Sequence, residues 1–432
     1  MNARQMRRFA VVAILPAVVC LLLSCQTQRQ PTTQKESKAE KHEKVVESFS
    51  GQMTDDGGQH AESIRRFFDE FGPALESGNA QRFGDFFDMR MMLRLLKQQN
   101  MVPKAISGDE DRLVQLLNQQ LAARLADPMV GISWKKCEVR RVQFIKDDTE
   151  AVVYARQWDA DDVASKTRWW LLRDGDKWRA YDMEILEVSM RFSVMLGLGF
   201  KMADRNDPSV RHVPALMTAV QDGVAGEVES AIETLEQLDR AGFPPVLESL
   251  RLMMLAAFYG DELEYGEAIK TADRAMQINS DLPMIHLIYS ACYNGLKEHE
   301  KAIQHADLYA NLLGKDGDYY VELGDAYAGM GEKDKAIKAY QDGLADDAQC
   351  GNNVLGLMKI VPADQRDAVV QHYRVLNDAD LWFLGFAEQL VKREDPDTLR
   401  ILIDIHKGVM PDDENISFYE EELAELQREK PP

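Results

Sequence analysis

The chain has 432 residues, enough for two or three domains, and its 45% hydrophobic and 28% charged residues describe an ordinary globular protein. Lys and Arg number 51 against 72 Asp and Glu, a formal charge of −21. That balance argues against nucleic acid or a bare anionic membrane surface as the main partner, because phosphate binding depends on clustered Lys and Arg.

Arg4, Arg7 and Arg8 precede an apolar run from Phe9 to Leu23. A run of about 15 residues suits the core of an export signal and falls short of the roughly 20 needed to span a bilayer. It ends Leu22-Leu23-Ser24-Cys25, which resembles the lipobox of bacterial lipoproteins. The resemblance implies a signal at 1–24, cleavage before Cys25, lipid on that cysteine, and a cell-envelope protein whose membrane partner is the lipid. Loss of three arginines would deepen the charge to −24. Gln26 in place of Asp favours, by the family's sorting pattern, the outer membrane facing the periplasm. Residues 25–59 are nearly free of large apolar side chains and cannot offset their ordering entropy by burial, so they read as a tether with a reach on the order of 30 Å. Among the remaining cysteines, Cys137, Cys292 and Cys350 allow at most one bridge and form no CxxC. They read as buried small hydrophobes, and stability is not expected to rest on disulfides.

Five of the six tryptophans (Trp134, Trp158, Trp169, Trp170 and Trp178) crowd into one stretch, which marks a separate domain at 60–190. Ile64, Phe67, Phe68, Phe71 and Leu75 share a helical face; Phe83, Phe86 and Phe87 open a short second helix after Ser77-Gly78-Asn79; Asp109 to Ala126 carries Leu113, Leu116, Leu117, Leu121 and Leu125 at helical spacing. Strand patterns follow at 137–144, 150–158, 167–173 and 177–187, with Asp174-Gly175-Asp176 as a hairpin turn. Helices followed by a meander predict an α+β unit.

Its final hairpin, Trp169-Trp170-Leu171-Leu172-Arg173-Asp174-Gly175-Asp176-Lys177-Trp178-Arg179-Ala180-Tyr181-Asp182, resembles that of the cone-shaped nuclear-transport-factor-2-like (SnoaL-like) fold, although no first strand is legible between the second and third helices. The resemblance implies a pocket between sheet and helices, for which Tyr154, Arg156, Tyr181 and Asp182 are the candidates. His60, at the domain edge, is the only histidine near it, so the usual acid–base group for neutral pH is missing.

Residues 191–214 read as a connecting helix and loop, and 215–430 as purely helical. At an offset of 34 residues Tyr259, Tyr293 and Tyr327 recur, as do Glu264, Glu298 and Glu332; Ala268, Ala302 and Ala336; and Ile269, Ile303 and Ile337. Small residues Ala256, Ser290 and Gly324 each follow a bulky Leu255, Tyr289 or Leu323. The period and pattern resemble the tetratricopeptide repeat, clearest at 249–282, 283–316 and 317–350, with departures at Gly343 and Ala348 where the family carries Ala and Pro. Ala231-Ile232 with Leu235 and Leu238 suggests a degenerate upstream unit with an insertion, and helices continue downstream.

The resemblance implies an all-α solenoid whose concave face binds protein partners, and carries the groove positions onto Leu250, Met253, Ala257, Met284, Leu287, Ala291, Asn294, Asp318, Val321 and Asp325. These lack the Lys and Asn pattern that clamps carboxylate tails in some members. Their Met, Leu and acidic character would suit an apolar segment with basic side chains, unless the C-terminal helices or the first domain cover the groove. No catalytic residue, cofactor or metal is assigned: HExxH and CxxC are absent, His299 and His305 sit on different helix faces, and Asp159, Asp161 and Asp162 lack the Gly and Glu that complete a calcium loop. The leading expectation is a non-enzymatic, membrane-anchored scaffold. The alternatives are a ligand-binding or enzymatic pocket at 60–190 positioned by the repeats, and a purely structural envelope component.

Overall fold

The computed structural model describes residues 53–54, 61–102, 110–125, 134–145, 149–159, 164–203 and 210–429. The expected export signal at 1–24, Cys25, His60, Asp161, Asp162 and the expected tether apart from Met53–Thr54 lie outside the described residues. Among the described residues no helix is long and apolar enough to cross a membrane.

Six strands among the described residues form one antiparallel sheet in simple sequence order: β1 (Met53–Thr54), β2 (Lys136–Ile145), β3 (Glu150–Trp158), β4 (Ala164–Asp174), β5 (Lys177–Ile185) and β6 (Met190–Arg191). Among the described residues four helices precede its long strands: α1 (Ala61–Glu76), α2 (Ala80–Phe86), α3 (Met89–Gln98) and α4 (Glu110–Leu125). The sequence reading omitted α3, and the strand it sought between the second and third helices is not found there among the described residues. The signal for α3 was present. Asp88 accepts from the Met91 amide, and Met89, Met92, Leu93 and Leu96 are buried at helical spacing. Phe87 leaves α2 to bridge Ala180, so it ends the helix instead of extending it.

Alternation sorts the strands into two faces. Ala151, Val153 and Ala155 of β3 and Trp169 and Leu171 of β4 point inward, with Trp178, Ala180, Met183 and Ile185 of β5, against Phe67, Phe68, Phe71, Phe83 and Trp134. Phe71, Trp134 and Trp169 meet edge-on with ring centroids 5.8 Å apart, the arrangement aromatic quadrupoles favour. The space between the central strands and the helices is thus filled by rings, and a cavity of about 500 Å³ opens at the sheet edge between α1 and β2, lined by Arg65, Asp69, Cys137 and Glu138. All nine residues of β3 are buried, which is unusual for an antiparallel sheet and requires a cover on its outer face.

The segment read as a connector is α5 (Phe192–Ala203). It belongs to the core: Phe192, Leu196, Leu198 and Phe200 are at most 1% exposed, and one apolar cluster runs from Ile64 through α5 to Tyr289. Asp182 anchors its start by accepting from the Ser193 amide at 3.0 Å and hydroxyl at 2.6 Å.

Thirteen further helices follow among the described residues, mostly as antiparallel pairs: α6 (Val213–Val224) with α7 (Val228–Gln237), α8 (Pro245–Asp261) with α9 (Tyr265–Ile278), α10 (Ile285–Gly295) with α11 (His299–Leu313), α12 (Gly317–Gly329) with α13 (Lys333–Asp346), α14 (Gly351–Ile360) with α15 (Arg366–Arg374), α16 (Ala379–Lys392) with α17 (Pro396–Val409), and the terminal α18 (Asn415–Glu429). This is a tetratricopeptide-like helical solenoid. Its repeated columns have direct causes. Ala268, Ala302 and Ala336 are wholly buried at close helix approaches. Gly324 is required because a Cβ there would lie 2.3 Å from the Tyr340 ring.

The turn inside five of the six pairs follows one rule, while α14 and α15 are joined through Val361-Pro362 and a 3₁₀ turn at Ala363–Gln365. A residue with left-handed backbone, Leu263, Lys297 or Gly331, precedes the Glu of the repeated column, whose amide donates five residues back to the carbonyl of Tyr259, Tyr293 or Tyr327. Gly226 before Glu227 and Glu394 before Asp395 repeat the motif. The α6–α7 and α16–α17 pairs are therefore built on the same turn, although their sequences have drifted. A short 3₁₀ turn at Leu238–Arg240 supplies the insertion expected upstream.

Gly343 departs from the repeat pattern for a local reason. A Cβ there would lie 2.5 Å from the side-chain amide of Asn353, which is buried and donates to the Gly317 carbonyl at 3.0 Å. Gly343→Ala is expected to cost about 1–3 kcal/mol in chemical denaturation through overpacking, and much less when combined with Asn353→Ala.

Candidate functional site

The outer face of the sheet carries Val152, Tyr154 and Arg156 on β3 and Lys166, Arg168 and Trp170 on β4, with Arg156 opposite Lys166 and Tyr154 opposite Arg168. It is covered by the solenoid edge where one helix pair passes to the next. Tyr309, Leu313 and Tyr319 pack on Val152, Tyr154, Trp170 and Tyr181. Around this apolar patch each cation meets a different inter-pair loop. Arg168 holds Asp281 at 2.6 Å, and Glu184 on its own sheet at 2.5 Å. Lys166 holds Asp318 at 2.5 Å, with Asp316 at 3.6 Å. Arg156 pairs with Asp346, and with Asp347 at 3.4 Å. At the margin, Arg140 donates to the Lys315 carbonyl at 2.8 Å. Arg168 keeps its charge despite burial because Glu184 and Asp281 hold its pKa above the usual guanidinium range.

This geometry corrects the expected pocket. Tyr154, Arg156, Tyr181 and Asp182 do not converge in a chamber between sheet and helices, whose interior is aromatic. Tyr154 accepts from Arg168 at 3.4 Å, and burial pushes its phenol up. Arg156 is part of the seam with the solenoid. Tyr181 donates to Glu150. Asp182, fully buried, is pushed up to about 6 by that burial, which Arg191 and the Ser193 donors only partly offset. Their polar atoms are committed to structure.

The concave face is different. A cavity of about 260 Å³ opens there, and seven of the ten groove positions named from sequence line it: Met253, Ala257, Met284, Leu287, Ala291, Asp318 and Val321. Of the other three, Leu250 is 2% exposed within the core, Asn294 donates to the Glu322 carbonyl at 3.0 Å and carboxylate at 3.1 Å, and Asp325 accepts from the Tyr340 hydroxyl at 2.5 Å. The sequence reading missed Glu187 from the sheet unit, Asp261, Glu322, and Asn352 and Arg393 from the downstream helices, all of which reach the same cavity. Glu322 lies one position after Val321 on α12, where the repeat pattern carries no fixed residue. Glu187 and Arg393 could not be found from repeat position, because superhelical curvature brings them in. Burial, with Asp325 nearby, pushes Glu322 up to about 8.

His286, His299 and His305 are engaged by neighbouring side chains. His305 stacks on Tyr289 at 4.6 Å and lies 3.2 Å from His286, while His299 meets Asn294 at 3.3 Å. Burial, with His305 adding a smaller effect, lowers His286 to about 4.

Against known proteins, no family model matches the chain. It is 30% identical over 84 residues to the small glutamine-rich tetratricopeptide repeat-containing protein 2 of Mycosarcoma maydis. That alignment covers 19% of this chain, which spans about a quarter (24%) of that relative's length. Among solved structures it aligns with one titled MamA MSR-1 C2 at 14% identity and a TM-score of 0.27, over 51% of this chain and 98% of the other.

Arg168→Ala would strand Glu184, itself 3% exposed, and lower stability by about 3 kcal/mol. Arg66→Ala, which breaks an exposed pair with Glu62, should cost under about 1 kcal/mol. Urea denaturation of both variants checks the contrast.

Proposed function

We propose that the chain is a lipid-anchored envelope scaffold, held by Cys25 and recruiting a partner protein in the concave groove of its helical repeats. The observation that carries the groove is the cavity of about 260 Å³ on which Met253, Ala257, Met284, Leu287, Ala291, Asp318 and Val321 converge. The tetratricopeptide character of the relative from M. maydis supports a protein-binding reading. The sheet unit, read as nuclear-transport-factor-2-like, acts as a brace: its outer face is spent on the solenoid and its interior on aromatic packing, which disfavours an enzymatic pocket there. The anchor rests on the basic start, apolar run and Leu22-Leu23-Ser24-Cys25.

The two halves of the proposal are separable. Cys25→Ala should abolish palmitate labelling and move the protein to the soluble fraction; continued sedimentation with membranes in high salt would refute the anchor. Lysines at Ala257, Ala291 and Val321, none of which is fully buried, should reduce in-cell crosslinked partners about tenfold or more with an unchanged circular dichroism spectrum. Equal recovery would place the partner elsewhere.

A further inference from the structure

The groove cavity has two chemically distinct parts. Met253, Met254, Met284, Leu287 and Ile288 form a soft apolar wall; methionine adapts to varied shapes. The remainder carries Glu187, Asp261, Asp318 and Glu322 against one guanidinium, Arg393.

Two of these carboxylates have no cation within ion-pair distance among the described residues. Glu187 accepts the Lys166 amide at 2.9 Å through Oε1, while its Oε2 is buried and receives no hydrogen bond among the described residues. Glu322 accepts from the neutral side-chain amide of Asn294 at 3.1 Å, and among the described residues no Lys or Arg comes within ion-pair distance of it. The contrast with the seam is informative, since Asp281, Asp316, Asp318, Asp346 and Asp347 all have a cation there. A buried carboxylate oxygen without a donor is costly, and a charge-assisted partner removes the cost.

We infer that the cavity seats a lysine or arginine side chain presented by an apolar segment of the partner protein, its stem against the methionines and its head group between Glu187 and Glu322. This rests on the groove being the partner surface. The volume agrees: about 260 Å³ falls below the roughly 300–1,000 Å³ of small-molecule pockets and accommodates a side chain. Long cationic side chains lay their methylenes on apolar surface and keep the charge at a polar end, which is the division the cavity offers. Burial and the nearby Asp325 push Glu322 up to about 8, and a cation seated beside it would favour its carboxylate form.

The test uses the full chain carrying ¹³C-methyl methionine. The probes are blocked peptides of alternating Leu and Ala whose single central residue is Arg, Lys, norleucine or Glu. The Arg and Lys peptides should shift the methyl signals of Met253, Met254 and Met284. Glu322→Gln and Glu187→Gln should each weaken them about tenfold, leaving the norleucine peptide's weaker binding unchanged. If norleucine matches Arg on the native chain, the cation site is wrong while the groove reading survives. If the Gln variants lose the norleucine peptide equally, the glutamates are only structural and the inference fails. If no peptide moves the methionine signals, both readings fall.

Discussion

Three cations on one face of a β-sheet, Arg156, Lys166 and Arg168, meet carboxylates from three successive loops of a helical array, and the rest of the molecule is organised around that seam. The sheet supplies its charges at strand spacing, on two adjacent strands; the solenoid supplies its own at the rise of one helix pair. Buried ion pairs are poor sources of net stability but strong specifiers of geometry, because any slip leaves a charge without a partner in a dry interface. The apolar contacts of Tyr309, Leu313 and Tyr319 with Val152, Tyr154 and Trp170 supply the driving force, and the charges set which loop meets which strand.

The seam covers the loop edge of the solenoid and leaves the concave face for other work. With the outer sheet face used in this way, Tyr154, Arg156, Tyr181 and Asp182 have structural partners where a catalytic site would need convergence on empty space. The groove keeps what the seam lacks: apolar walls and two carboxylates, Glu187 and Glu322, that no described cation pairs with. Glu187, at the foot of the sheet, joins the two regions. Its amide partner Lys166 also pairs with Asp318, so the brace positions one wall of the groove as well as holding the array.

Legibility varied with the range of the interaction. The helix pairs at 249–350 could be read because Ala268, Ala302 and Ala336 answer to a local demand, close helix approach, that recurs every 34 residues. The flanking pairs were harder. Their turns need only a left-handed residue and a backbone amide, which Gly226 and Glu394 provide without a conserved-looking side chain. The α3 helix was missed although Met89, Met92, Leu93 and Leu96 carry its pattern, and Phe87 was read into the wrong element because a bridge to Ala180 is invisible in local periodicity. Seven groove positions followed from repeat register. Glu322 did not, since its importance comes from lacking a cation, a property of its surroundings.

The sequence by itself determined the elements, the repeat period, the acidic balance and the side chains that each helix offers to its groove, because these depend on residues within one or two turns of one another or on a fixed offset. The proposed export and lipidation signal likewise rests on a linear string, the basic start, the apolar run and Leu22-Leu23-Ser24-Cys25. Only the tertiary structure decided that the α5 segment is core and not connector, that the sheet's polar face is a docking seam and not a pocket, and that Glu187, Glu322 and Arg393 share one cavity. Those facts depend on superhelical curvature and on which charges remain unpaired after docking, quantities summed over residues more than a hundred positions apart.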